Sequence, residues 1–118
     1  MDRERFEEIV AQAAEALPEE FLVHLDDVVI TVEDIPTLEQ AEAGDGELLG
    51  LYEGTPLTQR SGYYVARLPD RITLFQKSIE SYCGGNNRRI ARVIGETLRH
   101  EIAHHFGIGD DCLDEMGR

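Results

Sequence analysis

Two histidines and a glutamate, in the pattern His100-Glu101-x-x-His104, are the residues of this chain whose types and spacing could do chemistry. Side chains four apart on a helix share a face, so the two imidazoles can reach one metal ion. The glutamate beside the first can take a proton from a water activated by that ion. Gly107, three residues past His104, can end the helix and turn the chain. Asp110 then arrives where a third ligand is needed. Three protein ligands leave a fourth tetrahedral position open, which distinguishes a catalytic Zn2+ from a closed structural one. The pattern implies metal-assisted hydrolysis, with His100, His104 and Asp110 as ligands and Glu101 as general base.

The spacing is unlikely by chance. From ordinary residue frequencies, His-Glu-x-x-His arises in a chain of this length with a probability of roughly a few in a thousand, and the added Gly and Asp lower it to about one in 10⁵. Asp111 competes with Asp110, because either carboxylate can fold back within a reach of ~10 Å after Gly107. The other carboxylate would then accept a hydrogen bond near the metal or cap a last helical turn. His105 points ~100° away from His104 on the helix and reads as a packing or supporting residue.

A long helix must position this stretch. Asn86 or Asn87 can cap it, and it runs to about Phe106. On a helical wheel Ile90, Val93, Ile94 and Thr97 share one sector, which His100 and His104 are expected to continue as part of the buried stripe, with Glu101 at its border. Gly95 costs ~1 kcal/mol relative to Ala in a helix, which suggests close packing there.

The rest of the chain supplies the support. Residues 3–17 read as an amphipathic helix, with Asp2 as N-cap and Phe6, Ile9, Val10, Ala13 and Leu17 at helical spacing. Pro18 closes it and can open a short second helix over residues 19–25. Residues 28–33, 48–53 and 71–76 read as strands, and residues 61–69 are ambiguous. Residues 34–47, with Pro36 and two glycines, read as a long acidic loop or a lid. A short helix over residues 77–82 is ended by Gly84-Gly85, and a last turn fits residues 111–116. This order, with links mostly too short for helical crossovers, gives an α+β domain: a small mixed or antiparallel sheet packed on the long helix, plus an N-terminal helix.

The chain has 118 residues and 42% hydrophobic content, which predicts one folded domain over residues 1–118. No apolar run approaches a membrane span, and the charged start lacks a signal-peptide core, so the expectation is a cytoplasmic protein with no membrane partner. A net charge of −13 disfavours nucleic acid. Residues 60–99 carry 8 of the 11 basic residues and only three acidic ones. Internal pairing with the acidic ends is the expected use of that basic stretch, and a binding patch the rarer one. Cys83 and Cys112 form no Cys-x-x-Cys pair and read as reduced thiols. His24, alone among apolar neighbours, reads as an ordinary half-buried histidine.

Residues 48–58 (Leu-Leu-Gly-Leu-Tyr-Glu-Gly-Thr-Pro-Leu-Thr), 68–75 (Leu-Pro-Asp-Arg-Ile-Thr-Leu-Phe) and 100–107 (His-Glu-Ile-Ala-His-His-Phe-Gly), with Asp110, together resemble a family of small bacterial zincin-like metallopeptidases. The resemblance covers roughly residues 22–118. It implies a minimal zincin fold, His100, His104 and Asp110 as zinc ligands, Glu101 as catalytic base, and a peptide or protein substrate. Metzincins place a methionine turn beneath the metal; Met116 is close to Asp110 in sequence and reads instead as packing. Tyr63, Tyr64 and Tyr82 are weak candidates to stabilise an oxyanion. The alternative function is a latent or non-catalytic metal-binding module on the same scaffold. A hydrolase acting on a non-peptide amide would use the same residues.

Overall fold

A computed structural model of the chain describes residues 1–26, 28–43, 48–54 and 69–107. The element order is α1 (Arg3–Glu15), α2 (Glu19–Leu22), a 3-10 turn (Val23–Leu25), β1 (Val28–Glu33), α3 (Leu38–Ala43), β2 (Gly50–Glu53), β3 (Asp70–Phe75), α4 (Gln76–Tyr82) and α5 (Asn87–Phe106). The architecture is mixed α+β, as expected, with five helices and a three-stranded sheet among the described residues.

The sheet order is β1-β3-β2. β1 runs parallel to β3, with Ile30 opposite Ile72 and Val32 opposite Leu74. β2 runs antiparallel to β3, with Gly50 opposite Leu74 and Tyr52 opposite Ile72. Because strand side chains alternate, Ile30, Val32, Ile72, Leu74 and Tyr52 share one face. All five belong to or pack against the core cluster, together with Phe6, Ile9 and Val10 of α1, Phe21 of α2, Ile79 of α4 and Ile90, Ile94, Leu98 and Ile102 of α5. On the other face the Thr31 and Thr73 hydroxyls meet at 3.2 Å, a cross-strand pair matching their register.

The helix ends are those the sequence signals. The Asp2 carboxylate accepts from the Arg5 N–H at 2.9 Å and starts α1. The Asn86 side chain accepts from the Arg89 N–H at 3.1 Å and starts α5. Gly84 and Gly85 take positive φ after α4. Arg3 ties α1 to the sheet, donating to the Val32 carbonyl (2.9 Å) and the Gln76 side chain (2.7 Å) and pairing with Asp34. Gln76, expected to end a strand, instead begins α4, where its side chain is buried by these bonds.

Two expectations need correction. The acidic stretch 34–47 is not loop throughout: Leu38–Ala43 is helical. Thr37 and Gln40 form a reciprocal capping box there. The Thr37 hydroxyl accepts from the Gln40 N–H (3.1 Å), and the Gln40 side chain accepts from the Thr37 N–H (2.9 Å). Gly95 is not at a close approach among the described residues; a Cβ there would meet only the Arg99 guanidinium among them, at 3.8 Å. Of the basic stretch, Arg60 and Arg67 lie outside the described residues. Arg88, Arg89 and Arg92 are exposed on the outer side of α5, where solvent screens them and an ion pair would contribute little.

Cys83 is buried, and burial pushes its thiol pKa up, against the pull of Arg89 and Arg92. A thiol held neutral this way is a poor nucleophile and behaves as packing. Among the described residues no helix is long and apolar enough to cross a membrane. Cys112, Met116, Tyr63 and Tyr64 lie outside the described residues.

Candidate metal and hydrolytic site

α5 carries the site at its C-terminal end. Its first four turns are fixed by the inward ridge Ile90, Ile94, Leu98 and Ile102. Residues four apart on an α-helix advance by 400°, so this ridge precesses ~40° per step. By the last turns the buried face has rotated away from the Val93-Thr97 side. His100 and His104 lie on that abandoned side and are exposed. The expected continuation of the buried stripe through the histidines is therefore wrong: they stand where the stripe has turned away. They nonetheless stand together, with ring centroids 4.3 Å apart and planes inclined by 42°.

Glu101, placed at the border by the wheel, is drawn inward instead. One of its oxygens, Oε1, accepts the backbone N–H of Tyr52 on β2 at 3.0 Å. Burial pushes the Glu101 carboxyl above the ordinary carboxylate range; the Tyr52 N–H and nearby His104 pull it partly back. A carboxylate raised in this way is a better proton acceptor, which suits a general base.

The close approach of β2 to α5 depends on Gly50. A Cβ there would lie 2.6 Å from the Thr97 methyl, 3.1 Å from Leu74 Cδ2 and 3.3 Å from the Thr73 carbonyl. With no side chain at residue 50, the strand can lie against the helix and carry the Tyr52 N–H to Glu101.

The end of α5 is held by a second group. The Tyr52 ring stacks on His105 (centroids 3.9 Å, 16°) and meets the edge of Phe106 (5.7 Å, 90°). The Tyr52 hydroxyl donates to Asp70 Oδ2 at 2.8 Å. His105 Nε2 lies 3.9 Å from the same oxygen, too far for a hydrogen bond. His24, half-buried as expected, stacks on Phe106 at 4.0 Å. Gly107 follows with φ 71° in the left-handed region, its N–H bonded to the Ala103 carbonyl, and ends the helix as the sequence predicts.

Sequence reasoning passed over Tyr52 and Asp70. A usable signal for one partner was present: His105 is four residues after Glu101, hence on the same face. Tyr82 stands just before the N-terminal end of α5, with His100 some ~20 Å of helix further on, and is exposed.

Asp110 and Asp111 lie outside the described residues. Among the described residues no cluster of three or more His, Cys, Asp or Glu side chains forms a metal site. The two that do come together are imidazoles, four apart on one helix with adjacent rings, a donor pair that suits Zn2+. No curated protein was found to match the chain. A family model described as zincin-like metallopeptidase matches residues 25–118.

Proposed function

The chain belongs to the zincin-like metallopeptidase family, and from that membership we propose that it is a zinc-dependent peptidase whose base is Glu101. The observation that carries the reading is the placement of Glu101, beside the adjacent His100 and His104 rings and anchored at one oxygen by the Tyr52 N–H. His100 and His104 would hold the ion, with Asp110 as the third ligand. The chemistry zinc supplies in such a site is Lewis acidity, toward water and toward the scissile carbonyl.

The carboxylate does the proton work. With Oε1 engaged by an N–H donor, Oε2 is the less stabilised and more basic oxygen and takes the proton from the attacking water. The same oxygen then returns the proton to the leaving amine. Burial raises the pKa of the carboxyl, which favours the first transfer. The substrate is a peptide or protein segment, and the chain acts without nucleic acid or membrane.

The test is Glu101→Gln, screened on a peptide library beside the wild type with zinc content measured in both. Hydrolysis by the wild type and its loss in a zinc-loaded variant support the reading. Full hydrolysis by a zinc-loaded Glu101→Gln variant retires Glu101 as the base.

A further inference from the structure

The side chains of Tyr52, Asp70 and His105 converge on one another at the end of α5, and the proposed reaction uses none of these side chains. Their chemistry is not that of a second active site: the hydroxyl and carboxylate are bonded to each other, and the imidazole is stacked. What the group does is hold a peptide plane. The direction of the Tyr52 N–H depends on how residue 52 sits near the end of a four-residue strand. Three contacts fix it. Its backbone is registered opposite Ile72 of β3. Its ring lies flat on His105, one helical turn beyond Glu101 on the same face of α5. Its hydroxyl reaches back to Asp70, the buried first residue of β3.

Gly54 completes the arrangement. A Cβ at that position would sit 3.2 Å from His105 Cε1 and 3.7 Å from Asp70 Oδ1. A side chain at residue 54 would press on the imidazole, which would have to give by a few tenths of an ångström.

We propose that Tyr52, Asp70 and His105 are positioning residues for Glu101, acting through the Tyr52 backbone N–H. This deepens the reading of Glu101 as the base and rests on it. The latch ties the last turn of α5 to β2 and β3, so the Glu101 carboxylate keeps one orientation. Oε1 stays engaged, and Oε2 is presented to the water. None of the three residues touches the reacting atoms. Loosening them changes where the base points, not what it is.

The experiment uses Tyr52→Phe, which removes only the hydroxyl and keeps the ring, the strand and the N–H, and Asp70→Asn, which keeps the shape of the acceptor. Three quantities are measured in wild type and both variants. They are the amide resonance and hydrogen exchange of residue 52 by ¹⁵N NMR, the affinity for zinc, and kcat and KM on a peptide the wild type cleaves. In both variants the residue-52 amide should shift upfield and exchange ~10-fold faster as its hydrogen bond to the carboxylate loosens. Zinc affinity should stay within about twofold, and kcat should fall ~10-fold or more with KM nearly unchanged, as expected of a misaimed base. The double variant should lose no more kcat than the worse single one, since both changes cut the same link.

A residue-52 amide that keeps its shift and protection in both variants overturns the latch. So does a fall in kcat accompanied by an equal loss of zinc. The NMR readout needs no turnover, so the latch is decided even if the wild type cleaves no peptide. Glu101→Gln reports separately on the base, so failure of the function and failure of the latch give different results.

Discussion

Tyr52 and Glu101, 49 positions apart in the chain, are joined by a 3.0 Å hydrogen bond from a strand amide to a half-buried carboxylate. The bond explains how a charged residue is tolerated on the inward side of α5. It offsets part of the cost of burial without removing it, because the Glu101 carboxyl still titrates above the ordinary carboxylate range.

That raised value sets a pH dependence of stability for the metal-free protein. The folded chain keeps the Glu101 proton to higher pH than the unfolded chain does. Between the ordinary carboxylate pKa of ~4.3 and the raised one, the folded state binds more protons, so stability falls as pH rises through that window. Above the window the cost of ionising Glu101 is fully present. Glu101→Gln removes it while keeping an oxygen for the Tyr52 N–H. The variant should therefore be more stable than wild type at neutral pH, with the advantage shrinking on acidification below the ordinary range. Urea unfolding across pH in the presence of chelator measures this. An advantage independent of pH would show that ionisation of Glu101 does not oppose folding.

Gly50 predicts a steric cost. A methyl at residue 50 would overlap the Thr97 methyl, and its other neighbours are a core leucine and a backbone carbonyl. Gly50→Ala should destabilise the fold by ~1–3 kcal/mol, the usual range for overpacking. Thr97→Ser deletes the atom it would strike, so the double variant should recover part of the loss. Denaturant midpoints of the two singles and the double measure the coupling. Strict additivity would mean that β2 does not meet α5 at this point.

Gly95 predicts the opposite. It lies inside α5 with a negative φ and room for a methyl. Gly95→Ala should stabilise the protein by ~0.5–1 kcal/mol, chiefly by restricting the unfolded chain. A thermal unfolding midpoint that falls instead would place an unrecognised partner against this face.

These two glycines show where the sequence was legible and where it was not. Both stand among apolar residues of regular elements, and nothing local distinguishes them. Packing against Gly95 was expected from its helical cost, yet Gly50 is where the backbones meet. That contact joins residues far apart in the chain. Local signals were read well: the Asp2 and Asn86 caps and the Gly107 stop all rest on neighbours within one or two turns. The short α3 was legible in principle from Thr37-x-x-Gln40, but Pro36 and the surrounding acids drew the reading toward loop. The wheel failed over the final turns because a ridge of residues four apart drifts around the axis. It therefore placed the histidines on the buried stripe and the glutamate at its border, whereas the histidines are exposed and the glutamate is drawn inward. The Tyr52-Asp70 bond joins two strands across the sheet and has no sequence signature.

The metal ligands give the sharpest discrimination, because three histidines lie within six residues and only two are expected to bind. His100 and His104 have adjacent rings. His105 is turned away and stacked on Tyr52. His100→Ala and His104→Ala should each weaken zinc binding by more than ~100-fold, beyond the 10–100-fold loss typical when a group that only supports a ligand is removed. His105→Ala should retain zinc, and Asp110→Asn should weaken it. Metal analysis after purification without chelator, followed by competition against a chromophoric chelator, measures all four variants against wild type. Zinc lost from His105→Ala but kept by His104→Ala would exchange the roles assigned to those two residues. Wild-type protein that binds no zinc under these conditions would remove the metal site and the hydrolytic reading with it.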